Sequence, residues 1–456
     1  MKVLFHVLFF LLVLSLCHTK IVSADKTEPF IAIDIGTTFS SVGIFKNGKL
    51  EILPNEQGSK LTPSLVGFKE NGEVVIGEPA KSQQAIKPEN TVYDLKTIIG
   101  GLYDDRRIQQ RMKSWPFKIV NNSNQPVIEI ELGSGTKKYT PEEITSLLVA
   151  NLKSTVKFNL DERVNERISL VSEYWPLQPC FDSNNKVIPL KNAVVTIPVY
   201  FDNNQRVAIK DAVKLAGFKY VRLIKEPIAA ATAYKMDEKG DDRKILVFHL
   251  GGATFDVTLL NFESGVFEVL ANQWNRDSAG RVFDERIVEH FSKLYKAKTG
   301  KDLDHDKIPK LYQEAEKAKI TLSDNFETVI QLKDPEDFNF LLTRATFEEL
   351  NIDIFQDTLK SVEQVLEDSF CNKTDVHDII LIGGSSKIPK IRKLIKDFFN
   401  GKESAERVEP DLAVVTGAAM IAGKLGAVEK TTFESTVDWI VSKLFWTGNM
   451  KHDELK

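Results

Sequence analysis

Short apolar runs typical of buried strands alternate along the chain with stretches in which apolar residues recur every three or four positions, as in helices. Apolar residues fill most positions of 31–45 and 245–260, and a turn of glycine and threonine interrupts each run. Residues 192–198 form a third strand-like run. A helix is predicted from Thr140, its N-cap, to about Phe158, because an acidic residue stands three positions after the cap. This alternation predicts an α/β protein.

The two interrupted runs repeat one pattern about half a chain apart. In both, an apolar strand ends near a polar residue, Asp34 or His249, and the turn leads back into a second strand. Two such hairpins predict two related lobes facing each other across a cleft. Glycine in the turns lets backbone N–H groups approach phosphate oxygens, and threonine hydroxyls add donors. Because a carboxylate at the strand end can hold Mg²⁺ through water, the cleft is a candidate phosphate and metal site.

A third glycine turn, Gly383–Ser386, joins a buried strand at 379–382 to a helix that begins near Pro389. Backbone amides at such a junction suit an anion or a nucleotide. Another helix is predicted by an apolar stripe at spacings of three and four, formed by Ile308, Leu311, Ala315, Ala318 and Leu322. Three polar residues share a neighbouring face of that helix: Glu316, Lys319 and Ser323. That face is either solvated or part of the cleft, and periodicity alone leaves both interpretations open.

Composition narrows the class of protein without identifying it. The 456 residues are enough for roughly two or three domains. A hydrophobic share of 42% and a charged share of 27% are those of a soluble globular protein, not of a disordered chain or a multi-span membrane protein. With 60 Lys+Arg against 64 Asp+Glu, the net charge is −4, so no nucleic-acid partner is expected.

The N-terminus has the features of a secretory signal peptide. Lys2 precedes an apolar run from Val3 to Leu16, and residues 22–24, Val-Ser-Ala, resemble a cleavage site. The run is shorter than the ~20 residues of a membrane span. We therefore predict removal of residues 1–24, the alternative being an uncleaved anchor. Whether the two remaining cysteines, Cys180 and Cys371, form a bridge stays open at this stage.

The C-terminal residues point to the endoplasmic reticulum lumen, or a microsomal location. Residues 452–455, His-Asp-Glu-Leu, match a retrieval tetrapeptide, although Lys456 follows and should mask it unless it is trimmed. Within residues 437–446 the apolar side chains share one helical face, which would lie at a membrane surface or pack back onto the lobes. Sequons at Asn121 and Asn372 fit a luminal glycoprotein.

Several motifs together resemble the ATPase unit of the heat shock protein 70 family, which has the actin and sugar-kinase fold. The similarity covers residues 29–428 and rests on IDIGTTFS at 33–40, NTVYDLK at 90–96, VVTIP at 194–198, EPIAAA at 226–231, TFDV at 254–257, FEELN at 347–351 and GGSSKIP at 383–389. The run PDLAVVTG at 410–417 resembles in particular the short, microsome-associated stress-70 subfamily, whose members stop after the ATPase unit.

The resemblance implies a two-lobed α/β fold with a nucleotide cleft between the lobes. Lobe I is predicted at 25–239, completed by 406–429, and lobe II at 240–405. An amphipathic and charged tail would follow at 430–456, without a peptide-binding domain. The implied cofactors are ATP or ADP with Mg²⁺. The implied partners are chaperones or co-chaperones of the secretory pathway, with peripheral membrane contact through 437–446 as a further option.

Carried over motif by motif, the resemblance implies a role for each site residue. Asp34 and Asp256 would flank Mg²⁺ through water, Lys96 would position the attacking water, and Glu226 would orient the water shell of the metal. Thr37 and Thr38 would hold the phosphates. The nucleoside would be contacted by Glu316, Lys319 and Ser323, and Gly384 with Lys387 would close over the base. The remaining implied nucleotide contacts are Gly36, Gly251, Gly252, Thr254, Gly383, Ser385 and Asp411.

The chain departs from the family pattern where the chemistry is concentrated. His249 replaces a second strand-end aspartate, and a neutral imidazole is a poor ligand for Mg²⁺ while a protonated one repels it. Ile320 replaces an arginine that would stack on adenine, and the loop 274–281 departs from the usual Gly-Asp-x-x-Leu-Gly-Gly-Glu. Three smaller departures are Ala253 in a triple-glycine turn, Lys225 for an asparagine, and an apparent insertion at 169–189.

These departures predict weak or absent ATP hydrolysis and leave three functions open. The first is a non-hydrolysing nucleotide-binding protein that keeps the two-lobed shape to engage chaperone partners. An active, stand-alone chaperone ATPase is the alternative. A sugar kinase of the same fold is a distant third, because the motifs at 90–96 and 347–351 are those of the heat shock family.

Overall fold

The computed structural model describes residues 30–46, 49–174, 190–240, 242–304, 307–332 and 338–426. The predicted signal peptide, Cys180 and the segments at 437–446 and 452–456 lie outside these ranges. Within the described ranges, no helix is both long enough and apolar enough to cross a membrane.

The first half of the chain is organised around one mixed sheet. Its strands are ordered β12-β11-β1-β2-β3, and β4 pairs with β2. Two small antiparallel sheets, β10-β9-β8 and β6-β5-β7, are built onto it. The strands are β1 (Phe30–Asp34), β2 (Phe39–Lys46), β3 (Lys49–Ile52), β4 (Thr62–Pro63), β5 (Val66–Phe68), β6 (Val74–Ile76), β7 (Thr91–Val92), β8 (Lys118–Asn122), β9 (Gln125–Leu132), β10 (Gly135–Tyr139), β11 (Asn192–Ile197) and β12 (Tyr220–Lys225). The helices are α1 (Glu78–Gln84), α2 (Leu95–Ile98), α3 (Arg106–Met112), α4 (Pro141–Tyr174), α5 (Asn203–Leu215) and α6 (Glu226–Ala233).

A second mixed sheet, ordered β15-β14-β13-β18, organises the other half, with the hairpin β16-β17 beside it. The strands are β13 (Arg243–Leu250), β14 (Phe255–Glu263), β15 (Val266–Asn275), β16 (Glu327–Leu332), β17 (Phe338–Thr343) and β18 (Asp378–Ile382). The helices are α7 (Gly280–Thr299), α8 (Ile308–Asp324), α9 (Arg344–Leu350), α10 (Ile352–Asp368), α11 (Pro389–Phe398) and α12 at 413–426.

Strand register confirms the internal repeat. In the first sheet, β1 runs antiparallel to β2 and parallel to β11, and Asp34 stands opposite Ser41. In the second, β13 runs antiparallel to β14 and parallel to β18, and His249 stands opposite Asp256. The residues that connect the strands, 35–38 and 251–254, are equal in number. The two hairpins therefore place Asp34 and His249 at equivalent positions of two similar sheets.

The core consists of three clusters, and the third joins the two sheets. One lies under the first sheet, one packs β13–β15 against the helices of the second half, and the third combines residues of both sheets with α6 and α12. The helices α6 and α12 approach each other closely at Gly417, where an added Cβ would lie 1.6 Å from the carbonyl oxygen of Ala229. Only glycine permits this approach, which couples the two sheets through one shared core.

Most elements predicted from periodicity are present, and one boundary was wrong. Thr140 caps α4 as expected, since its hydroxyl accepts from Glu143 N at 3.2 Å while the Glu143 carboxylate accepts from Thr140 N at 2.8 Å. The helix continues to Tyr174 instead of ending near Phe158. The segment beyond Phe158 lacks glycine and proline and keeps apolar residues three or four positions apart at Leu160, Val164, Ile168 and Val171, so the sequence contains no helix stop there.

Candidate functional site

The cleft lies where the carboxyl ends of parallel strands from both sheets converge, the usual position of ligand sites in α/β folds. A cavity of about 590 Å³ occupies it. Asp256, which contacts His249, is not among the residues that line it. Every other predicted site residue contributes to the lining: Asp34, Gly36, Thr37, Thr38, Lys96, Glu226, His249, Gly251, Gly252, Thr254, Glu316, Lys319, Ser323, Gly383, Gly384, Ser385, Lys387 and Asp411. Residues predicted from three separate turns and one helix face are thus brought together around a single cavity.

The first lobe presents a hydrogen-bonded set of buried polar groups. Asp34, the last residue of β1, accepts a hydrogen bond from the hydroxyl of Thr196 on β11 at 2.5 Å. Lys96 on α2 and Glu226, the first residue of α6, form a buried ion pair. Because each group stands at the end of a strand or in the first turn of a helix, its position is set by the sheet.

On the second lobe, His249 takes the place that a carboxylate would occupy. Its Nδ1 atom lies 3.2 Å from Asp256 Oδ2 and 3.4 Å from Glu226 Oε2. Neither approach has hydrogen-bond geometry, and Nδ1 has no hydrogen-bond partner among the described residues. The imidazole nitrogen therefore lies within ion-pair distance of both carboxylates without a well-directed hydrogen bond to either. Since Glu226 belongs to the first lobe, this contact also bridges the cleft.

Electrostatics in the cluster follows from burial and from these neighbours. Burial alone would lower the pKa of His249, but Asp256 and Glu226 raise it to about 10. Burial would raise the pKa of Glu226, whereas Lys96 and His249 bring it to about 2. The pKa values of Asp34 and Asp256 are raised by burial, against the opposing effect of the cationic groups.

These residues do not fit Mg²⁺ as the resemblance implies. With a protonated imidazole, the three carboxylates face two cationic groups, giving the cluster a net charge of −1, whereas aspartate at position 249 would give −3. The imidazole nitrogen is wedged between two of the oxygens that a hydrated Mg²⁺ would need to approach. Mg²⁺ also prefers an all-oxygen octahedral shell. The charge that the metal would supply is partly provided by the side chain itself.

The nucleoside side of the cleft is committed to protein contacts. Lys319 is buried, and its ammonium group bonds Asp284 at 2.6 Å and the carbonyl of Gly280 at 2.9 Å, so the solvated-face interpretation is wrong for this residue. Glu316 pairs with Lys81 of the first lobe at 2.8 Å. Ile320, at the position where the family pattern has a stacking arginine, lines the cavity with 58% of its surface exposed.

Arg281 forms a cross-cleft ion pair that sequence reasoning missed. Its guanidinium donates to both carboxylate oxygens of Asp94, at 2.8 and 3.0 Å, and Trp115 Nε1 donates to the same carboxylate at 3.0 Å. The Asp94 side chain is 1% exposed, and Arg281 also lies over the ring of Tyr93. Burial would raise the pKa of Asp94, but Arg281 holds it below its ordinary value. The signal was present in the unusual loop 274–281, but its partner is 187 residues away.

A second cavity of about 460 Å³ lies beside the first and shares the turn residues Thr37 and Thr38. Aromatic residues of both lobes line it, including Tyr93, Trp115 and Tyr312. They come from separate elements, so no single motif could have indicated this cavity.

Two mixed sheets joined by crossing helices, with glycine turns around one cleft, define a nucleotide-binding domain of the actin-like ATPase fold. The family model described as Hsp70 protein matches residues 30–176 and 183–436, and the chain belongs to this family. The unmatched residues 177–182 fall within the predicted insertion at 169–189. Members of the family generally bind ATP or ADP with Mg²⁺ and work with co-chaperones.

Proposed function

We propose that this protein is a nucleotide-binding member of the Hsp70 family in the secretory pathway that hydrolyses ATP very slowly or not at all and acts through chaperone partners. The observation that carries the proposal is the placement of His249 between Glu226 and Asp256, at 3.4 and 3.2 Å. A cationic side chain there removes the carboxylate that the family pattern has at this position. Catalysis of phosphoryl transfer is mostly positioning and charge neutralisation, so this loss acts directly on the rate.

The rest of the cleft supports retention of nucleotide binding. The turns that would hold phosphates keep Thr37 and Thr38, and the buried hydroxyl oxygen of Thr38 has no hydrogen-bond partner among the described residues. A buried hydroxyl of this kind costs free energy unless a ligand satisfies it. In this proposal Gly36 and Gly252 contribute backbone amides to the same phosphates, whereas the amide of Gly251 closes its own turn by donating to the carbonyl of Thr254 at 3.0 Å.

An active chaperone ATPase is the competing function, and one observation favours it. Lys96 and Glu226 are buried and paired, and Asp34 stands beside them, so three implied catalytic groups are in place. Under this alternative, His249 is a tolerated neighbour and turnover is retained. Nothing in the described cleft favours a sugar kinase over either of these.

The experiment is a calorimetric titration of the full chain with ATP and with ADP, each with Mg²⁺ and with chelator, followed by a turnover assay. We expect nucleotide binding that changes little when Mg²⁺ is removed, and no turnover above background. Turnover typical of the family, dependent on Mg²⁺, would establish the competing function. Absence of binding to both nucleotides would overturn the proposal and leave a scaffold.

The secretory location and subfamily rest on sequence features. The apolar run at 3–16, the tetrapeptide at 452–455 and the subfamily-like run at 410–417 support a luminal, microsome-associated stress-70 protein. Both sequon asparagines, Asn121 and Asn372, are exposed, which glycosylation requires. N-terminal sequencing should begin near Asp25, and deletion of Lys456 should increase retention in a secretion assay. Unchanged retention after deletion of 452–456 would exclude the retrieval role.

Peripheral membrane contact through 437–446 is a separate proposal. The segment combines one apolar face with Trp439 and Trp446, a composition suited to a membrane interface. Liposome flotation should decrease when both tryptophans are replaced by alanine. Flotation that is unaffected would favour packing of the segment onto the lobes.

A further inference from the structure

Three potential metal ligands converge where the two lobes meet. Glu226, His249 and Asp256 each offer one donor atom, and these atoms lie within 4.8 Å of one another. The two separations from His249 Nδ1, 3.2 and 3.4 Å, lack the direction of a hydrogen bond. They match the edge of a tetrahedron around Zn²⁺, since metal–ligand bonds of 2.0–2.1 Å place neighbouring ligand atoms about 3.3–3.4 Å apart.

The orientation of the imidazole agrees with this spacing. Nδ1 makes no directed hydrogen bond to a described residue, although one oxygen of each carboxylate lies within 3.4 Å of it. The ring is held from the other side by the third glycine turn, where a Cβ on Gly383 would lie 2.9 Å from His249 Cδ2. Glycine at this position, with φ of +84°, leaves the room that the ring needs.

Each ligand stands on a rigid element. His249 and Asp256 are register partners on β13 and β14, and Glu226 is the first residue of α6. The other Glu226 oxygen is held by Lys96, which fixes the carboxylate. The fourth tetrahedral position would face the cavity that His249 lines, where water or a ligand oxygen can complete the shell.

We propose that Glu226, His249 and Asp256 bind a divalent transition-metal cation of the Zn²⁺ class in place of the Mg²⁺ that is usual in the family. One imidazole nitrogen with two carboxylate oxygens is a donor set that Zn²⁺ and Co²⁺ accept, whereas Mg²⁺ requires oxygen ligands and keeps most of its water. The cation would compete with the imidazole proton and with Lys96 for the two carboxylates, so binding is weaker than at a closed structural zinc site. All three ligands belong to the protein, so the site does not require nucleotide.

The test uses the full chain freed of metal by chelation and contains no nucleotide, so its outcome is independent of the proposed function. Zn²⁺ and Mg²⁺ are titrated in parallel by calorimetry, and Co²⁺ is followed by its visible absorption. We expect one Zn²⁺ or Co²⁺ per chain, a Co²⁺ spectrum of low coordination number, and no Mg²⁺ binding at the same concentrations.

His249→Ala should lower the Zn²⁺ affinity about 100-fold or more, because loss of an outer-shell partner alone typically costs 10- to 100-fold. His377→Ala is the matched control, since His377 is exposed and its Nδ1 accepts from Lys244 N at 3.0 Å. His249→Asp, checked for folding by circular dichroism, should exchange Zn²⁺ preference for Mg²⁺ preference. Equal Zn²⁺ affinity in wild type and both His249 variants, or no stoichiometric binding by wild type, would show a purely ionic cluster and overturn the proposal.

Discussion

The β1–β2 and β13–β14 hairpins share a backbone plan and differ in the chemistry they present to the cleft. Both place a polar residue opposite a polar partner across an antiparallel pair, Asp34 with Ser41 and His249 with Asp256. The first hairpin offers a carboxylate bonded to Thr196. The second offers an imidazole between two carboxylates. Architecture set by strand pairing has therefore been kept while the charge at one of the two equivalent positions has been inverted.

This difference shows which parts of an ATPase cleft depend on fold and which depend on single residues. The cavity, the glycine turns and the crossing helices follow from packing of two sheets. In the proposed metal site, the preference for a cation depends on one side chain, because replacing an oxygen ligand by nitrogen changes which cation is accepted. The proposed function thus combines a retained cleft shape with lost hydrolytic chemistry.

Replacing His249 of the second hairpin by the aspartate of the first should have the largest effect. A well-placed electrostatic group contributes ~3–4 kcal/mol to a transition state, so wild-type turnover should be about 10²- to 10³-fold below that of a family member with aspartate at this position. His249→Asp should strengthen Mg²⁺-dependent nucleotide binding but restore hydrolysis only partly, because Ile320, Ala253 and the 274–281 loop still hold the nucleoside loosely. Single-turnover release of phosphate measures hydrolysis by the wild type and by the variant.

The same variant provides an internal control on stability. In chelator, His249→Asp gathers four carboxylates around Lys96 and should unfold at a lower temperature than wild type, and Mg²⁺ should reverse much of that loss. If the melting temperature of the variant does not change when Mg²⁺ is added, the carboxylate does not create a metal site.

Sequence reasoning succeeded wherever the signal was local. The two hairpins, the cap at Thr140 and the helix with its stripe from Ile308 to Leu322 were all read from neighbouring residues. The residues that the family motifs indicated, apart from Asp256, line one cavity of the structure. Contacts between distant segments carried no local signal. The partners of Arg281 and Lys319, and the commitment of Glu226 to both Lys96 and His249, depend on how the lobes meet.

The cross-cleft pair is the next largest test. Arg281→Gln leaves the Asp94 carboxylate buried with Trp115 as its remaining strong donor, and an uncompensated buried charge costs ~3–5 kcal/mol, reduced here because Arg281 is 27% exposed. We expect a loss of about 2–3 kcal/mol in the free energy of unfolding and faster nucleotide release. Arg286→Gln on the same helix is the control.

The pair of Arg286 with Asp353 has 36% and 59% of its side chains exposed and should contribute less than about 1 kcal/mol. Chemical denaturation and stopped-flow release of a fluorescent nucleotide measure the two effects. Equal losses for Arg281→Gln and Arg286→Gln would mean that the lobes are not held together by the cross-cleft pair.

The contact between the two turns is a smaller but more local test. A Cβ on Gly252 would lie 2.3 Å from the hydroxyl oxygen of Thr38, so in Gly252→Ala either the Thr38 side chain rotates or the hairpins move apart. Such overpacking typically costs ~1–3 kcal/mol. Adding Thr38→Ala removes the contact with the hydroxyl oxygen and leaves the contact with Cβ of residue 38, at 3.0 Å, so stability should recover in part. Gly426→Ala, with no atom within 4 Å of the added Cβ, is the neutral control, and thermal unfolding ranks the variants.

The smallest effect is expected at the nucleoside end of the second lobe, where the contact under test is with the base and not with the phosphates. Ile320 lines the cavity and is 58% exposed, so a longer side chain can be accommodated without disturbing the core. Ile320→Arg supplies a guanidinium that can stack on the base, a contact worth ~0.5–1 kcal/mol at an exposed site, or about a two- to fivefold gain in ADP affinity. Val207→Arg adds the same charge at a position 56% exposed on α5, outside the cavity lining, and controls for the general attraction of a basic residue for nucleotide. Titration calorimetry in chelator separates the two. An equal gain in both variants would mean that the base does not lie against α8. The neighbouring cavity, which Tyr93 and Tyr312 line, would then be the first place to test for the nucleoside.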